Sequence, residues 1–216
     1  DQITSGLGIN LLAAGLTKFV LTQVFDSSSN SSRVVGLPDW DLFGLARLPA
    51  LGPVLATPLV LLTAALVLLG QALLFRSVFG LRLRTIGERP QAAAALGLPV
   101  ARYRYAGVLL SGAFAGLAGA WLASEQHSFT DGMTNGRGYI AIAAMIVGKW
   151  SPLGAGAACL LFGAAEALQI TLQGSRFPSE LLQMLPYLVT MLTLAGFIGR
   201  AIPPRALGMP YDAEQA

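Results

Sequence analysis

From Val54 to Phe79 the chain runs through leucine, valine and alanine, with Pro58 near one end and Gln71 near the other. Such a run excludes most folds. Backbone groups in a bilayer find no water, so a single crossing segment must satisfy them internally as an α-helix. At about 1.5 Å per residue the run also covers the roughly 30 Å of a hydrocarbon core. Five further apolar segments, 3–24, 105–124, 138–150, 153–172 and 181–198, extend the pattern. The expected fold is therefore all-α, a polytopic transmembrane helix bundle of six spans. Of the 216 residues 54% are hydrophobic and 12% charged, half the charge of an ordinary soluble domain.

Charge gives the direction of crossing. Arg76, Arg82, Arg84, Arg102 and Arg104 frame one loop, and Arg200 and Arg205 lie near the C-terminus. Lysine and arginine collect on the cytoplasmic side, so the loop 80–104 and a tail 201–216 are expected inside, with a transmembrane domain over 1–200. Segment 138–150 is short, roughly 20 Å as a helix, and reads as a thin span or a re-entrant half-helix; crossing puts Arg200 and Arg205 inside. The loop 25–53 is expected outside, with Trp40, Leu42, Phe43 and Leu45 as a short amphipathic piece that lies on the outer surface or touches an external partner; 125–137 and a turn at 174–180 are expected outside too. The net charge of +3 thus reports topology and gives no reason to expect nucleic acid.

Covalent chemistry finds no support. His127 is the one histidine and has no neighbours at metal-ligand spacing, and Cys159, the one cysteine, sits in an apolar run as a packing residue. Gly148-Lys149 is not a phosphate loop, because Ala143 replaces the earlier glycine and Trp150 stands where Ser or Thr is required. The chain is expected to be no enzyme and to bind no cofactor. It begins at Asp1 without a signal peptide and is expected to lack its own beginning.

Between the arginine clusters lies Thr85 to Pro99, TIGERPQAAAALGLP. Proline at the first turn and glycine past the last mark a deliberately short helix from Pro90 to Gly97. A helix this short is unstable alone, so it must dock. It is either a structured link between spans or a small-sided helix that inserts into a groove on a soluble partner.

Within the spans, polar residues are the candidates for function. Asn10 is expected to hydrogen-bond across helices or to face a pathway, and Lys18 to snorkel to the headgroups. Glu166 and Gln169, three apart, share a helical face, and a carboxylate at depth must face the bundle interior, a partner or water. It is a pathway residue or an interhelical hydrogen bond. Gly112 and Gly116, like Ser111, Ala115 and Gly119, recur at intervals of four, the pattern of close helix packing.

Gly87-Glu88-Arg89-Pro90 through Ala92, Ala93 and Gly97, with a basic link into a span reading SGAFAGLAGA, resembles the cytoplasmic loop and following helix of bacterial ABC importer permeases of the branched-chain amino acid and simple-sugar superfamily. GRGYIAIAAMIVGKWSPLGA followed by LLFGAAEALQITLQ, and the opening DQITSGLGINLLAAGLT, are similar to the nucleoside and simple-sugar branch. The resemblance covers nearly the whole chain. It implies a multi-pass subunit of the bacterial inner membrane, in contact with membrane lipid. Its partners would be an ABC ATP-binding subunit that uses the ATP, a second permease subunit and an extracytoplasmic solute-binding lipoprotein. Gly87 to Gly97 would then be the ATPase-coupling segment, and Asn10, Glu166 and Gln169 the polar groups of the path. Family members begin with further hydrophobic segments ahead of the DQITSG-like stretch. An ion-driven transporter or channel fragment, or a branched-chain amino acid permease, are the alternatives.

Overall fold

The computed structural model describes residues 2–33, 35–36, 58–173, 181, 184–193 and 201–211. Among these the regular elements are helices: α1 (Gln2–Phe25), α2 (Pro58–Arg76), α3 (Val78–Glu88), α4 (Pro90–Ala95), α5 (Val100–Glu125), α6 (Arg137–Val147), α7 (Pro152–Leu172) and α8 (Leu185–Leu192). Four of them, α1, α2, α5 and α7, are long and apolar enough to cross a membrane. The proposed surface piece Trp40 to Leu45, the turn 174–180 and much of the expected span 181–198 lie outside the described residues.

Two boundaries differ from expectation. The segment after Arg76, expected as loop from 80, is itself helical, α3, with Gly87 and Glu88 in its last turn. Ser77 accounts for the break: its Oγ accepts from Gly80 N at 3.0 Å, capping the new helix, and donates to Leu73 O at 2.6 Å. The third span begins at Val100 rather than Tyr105, drawing Arg102 and Arg104 into its first turns. Of the expected tail, residues 201–211 fall among the described residues.

The chain divides into two compact units. The first comprises Asp1–Ala64, Arg82–Asn135 and Ala206–Ala216. At one end of it, two connecting segments are stitched together. Ser31 N donates to Phe129 O at 2.8 Å and Asp131 N to Ser29 O at 2.9 Å, around a single bridge between Asn30 and Thr130. Lys18 Nζ lies 3.7 Å from Asp131 Oδ2, so its ammonium finds a carboxylate and not headgroups alone. Around the loop between α2 and α5, Ile86, Ala93 and Val100 form a closed apolar cluster.

The second unit, Ala65–Leu81 and Gly136–Arg205, is built on an antiparallel hairpin of α6 and α7. Ala144 of α6 packs with Ala158 and Phe162 of α7, and Val189 of α8 covers them. Gln71 Oε1 of α2 accepts from Leu153 N at 3.4 Å. The hairpin corner is tight: a Cβ on Gly148 would collide with the backbone of Gly154 and Ala155. Ser151 caps α7 by accepting from Gly154 N at 3.2 Å. At 11 residues α6 reaches only about 16 Å, about half of a bilayer core.

The small-residue stripe of α5 lies open. Ser111, Gly112, Ala115 and Gly116 are exposed, and a Cβ on Gly112, Gly116 or Gly119 would meet nothing within 4 Å. The close-packing surface exists, yet among the described residues nothing occupies it. Cys159 likewise is exposed on α7 rather than packed within.

Replacing Gly148 by valine should open the α6–α7 corner. Overpacking of this kind costs about 1–3 kcal/mol, visible as a lowered midpoint of thermal unfolding in detergent, whereas Gly163→Ala, on an open face of α7, should leave the midpoint unchanged.

Candidate functional site

The loop helix α4 is held by its ends and by one face. Pro90 occupies its first turn, where a missing N–H costs nothing. At the other end Gly97 takes φ 77°, Gly97 N donates to Ala94 O at 2.8 Å, and Leu98 N donates to Ala93 O at 3.1 Å. This pair of reversed bonds is a Schellman closure, which needs a left-handed residue and so favours glycine. Leu98 completes it by packing on the cluster that holds Ala93.

Ala93 is 0% exposed and Pro90 is buried. These two therefore face their own chain. The helix is six residues long and cannot persist without tertiary support, so its smallest face is used for docking inward against Ile86 and Val100. What remains outward is Gln91, Ala92, Ala95, Leu96 and Gly97, preceded by exposed Glu88 and Arg89. Leu96 is 78% exposed, unusual for a leucine beside a formed core. Arg82 Nη1 donates to Tyr103 Oη at 3.2 Å, tying α3 to α5 beside this helix.

In the second unit Glu166 has a partner that sequence reasoning did not assign. Arg137 Nη2 lies 3.3 Å from Glu166 Oε1. Arg137 opens α6 and Glu166 sits roughly 21 Å along α7 from Pro152 at helical rise, so the pair bridges the open end of the hairpin. Both side chains are about half exposed, at 48% and 51%. An ion pair on a membrane helix that keeps access to its surroundings suits a polar cavity rather than lipid. Gln169, half-buried, follows one turn later on the same face. Asn10 stands exposed on α1, in the other unit. The clue to Arg137 was its place at the head of the run GYIAIAAMIV, where the antiparallel hairpin folds it back on α7.

No group of three or more metal-ligating side chains occurs among the described residues. The chain matches over residues 1–194 the family described as branched-chain amino acid transport system / permease component. The chain belongs to this permease family. It is similar to the guanosine ABC transporter permease protein NupQ of Bacillus subtilis, with 39% identity over 98% of this chain and 69% of that one. To the nucleoside ABC transporter permease protein NupC of Lactococcus lactis the identity is 41%, with the same shares covered. A putative glucose ABC transporter permease protein of Haloferax volcanii, TsgC13, is 35% identical over 80% of this chain and 53% of its own. No solved structure matches. The permease is thus an integral protein of the cytoplasmic membrane, a subunit of an ABC importer. It transports and does not catalyse, and it acts with an ABC ATPase and other components of such a transporter.

Two expected outcomes follow from this geometry. Ala93→Arg should destroy the loop fold itself, read as new protease cleavage between Arg82 and Arg104, whereas Ala92→Arg should leave the cleavage pattern intact. For the ion pair, Arg137→Glu and Glu166→Arg should each impair uptake, and the double exchange should recover a large part of it; additive losses in the double variant would mean the two charges do not act together.

Proposed function

We propose that the permease conducts nucleosides inward, with α4 as the segment through which the ATP-binding subunit drives the spans. The observation that carries the solute class is the pair of relatives named for guanosine and nucleosides, each aligned to 98% of this chain. The relative named for glucose is less similar and aligns over a smaller share.

The physical features support the remaining roles. Gln91, Ala92, Ala95 and Leu96 present a small surface with one protruding apolar side chain, suited to a shallow groove on the ATPase. When ATP closes the nucleotide-binding subunits, a groove gripping α4 would move α3 and α5 with it, because Ile86, Ala93 and Val100 pack the three into one body. The open stripe of Ser111, Gly112, Ala115, Gly116 and Gly119 on α5 would be covered by other helices, including those of a second permease subunit. Arg137, Glu166 and Gln169 would supply hydrogen-bonding groups along the path, with Asn10 a further one from α1. A solute-binding lipoprotein outside would perform most of the selection, so the path needs only a few polar contacts.

The test is uptake by the reassembled importer in proteoliposomes. With labelled guanosine, uptake should depend on ATP and on the binding lipoprotein, and excess unlabelled nucleoside should abolish it. Competition by glucose or leucine, with no competition by nucleosides, would remove the solute assignment. Uptake that follows an ion gradient without ATP would remove α4 as a coupling element.

A further inference from the structure

The tail segment Ala206–Tyr211 is folded onto the coupling loop. Gly87 lies in the last turn of α3, where backbone carbonyls have no partner within the helix. Ala206 N donates to Gly87 O at 3.0 Å and so closes that end. The chain then turns, with Met209 N donating to Ala206 O at 3.2 Å and Gly208 at φ 75°. The turn brings Tyr211 back against the cluster of Ile86, Ala93 and Val100. On its other side the Tyr211 ring receives the guanidinium of Arg104, whose Cζ is 5.3 Å from the ring centre.

These contacts reach the end of α3, the core under α4 and the first turns of α5. A helix as short as α4 transmits force only if its neighbours move with it. Beneath Ala93 lie Ile86 of α3 and Val100 of α5, with Leu98 and Tyr103 at the edge, a small core for a segment that must move as one piece. The tail adds a backbone hydrogen bond, an aromatic face and a cation–π contact at the places where α3 and α5 could pull apart.

We propose that residues 206–211 act as a strap that holds α3, α4 and α5 as one coupling body, with Tyr211 and Arg104 as positioning residues. The inference rests on the reading of α4 as the coupling segment and adds to it the element that stiffens it. The strap touches neither solute nor ATP. Its effect is on how much solute moves per ATP hydrolysed.

The experiment uses the complete importer in proteoliposomes, measuring ATPase co-purification, ATP hydrolysis and solute uptake together. Tyr211→Ala and Arg104→Ala should retain the ATPase subunit and lower the ratio of uptake to hydrolysis by about threefold to fivefold, the scale set by losing one partly exposed cation–π contact. Tyr211→Phe and Arg104→Lys, which keep that contact, should restore the ratio. A wild-type ratio in both alanine variants overturns the strap while leaving α4 as the coupling segment. Failure of the ATPase to bind even the unaltered permease overturns both.

A second measurement covers alanine variants that fail to fold. With Cys159→Ser, cysteines at Gly87→Cys and Ala206→Cys should crosslink on oxidation, and uptake per ATP hydrolysed in the crosslinked form should equal or exceed that of the same variant reduced. Loss of transport on crosslinking, reversed by reduction, would mean that the tail must detach during the cycle, and the strap would be overturned.

Discussion

Everything in this permease follows from the want of water around its spans. A polar group at depth must be satisfied by the helix that carries it. The threonines show the solution: Thr17 bonds Ala13 O at 2.8 Å, Thr63 bonds Leu59 O at 2.8 Å and Thr171 bonds Ala167 O at 2.8 Å. Their hydroxyls point back to the carbonyl four residues earlier and ask nothing of a neighbour. Lipid is as apolar as leucine, so burial inside the bilayer gives little reason for helices to associate. Long, exposed apolar faces on α1 and α5 are the consequence.

Where the chain leaves the bilayer the ordinary hydrophobic effect returns. Three of the most shielded side chains of the first unit, Ile86, Ala93 and Val100, all sit in or beside the loop between α2 and α5 rather than deep in a span. The proposed coupling role fits that contrast, because a segment that receives force must be a formed body. The second unit reaches a similar end by another route, since its hairpin is locked by the Gly148 corner and by Phe162 between small residues.

Much of the site was legible before any coordinates. Pro90 and Gly97 marked the limits of α4, and Glu166 stood out because a carboxylate is rare in an apolar run. The side that α4 turns inward was not legible. Four consecutive alanines give every face of a helix the same chemistry, so no periodicity distinguishes Ala93 from Ala92. The α3 helix was hidden for a related reason: its arginines and apolar residues alternate closely, and only the cap at Ser77 separates it from α2. Arg137 was hidden by distance along the chain, 29 residues from Glu166.

By itself, the sequence determined the class of the protein, the sites of its long spans and the presence of a short helix in the central loop. These are properties of continuous stretches, and hydropathy, proline and glycine act on continuous stretches. The tertiary structure alone decided which alanine is buried, that Arg137 answers Glu166, that the small-residue stripe of α5 stays open among the described residues, and that the tail returns to Gly87 and Arg104. Each of these depends on where the chain comes back to after a turn. Such returns are governed by packing and by paired polar groups, and local composition does not encode them.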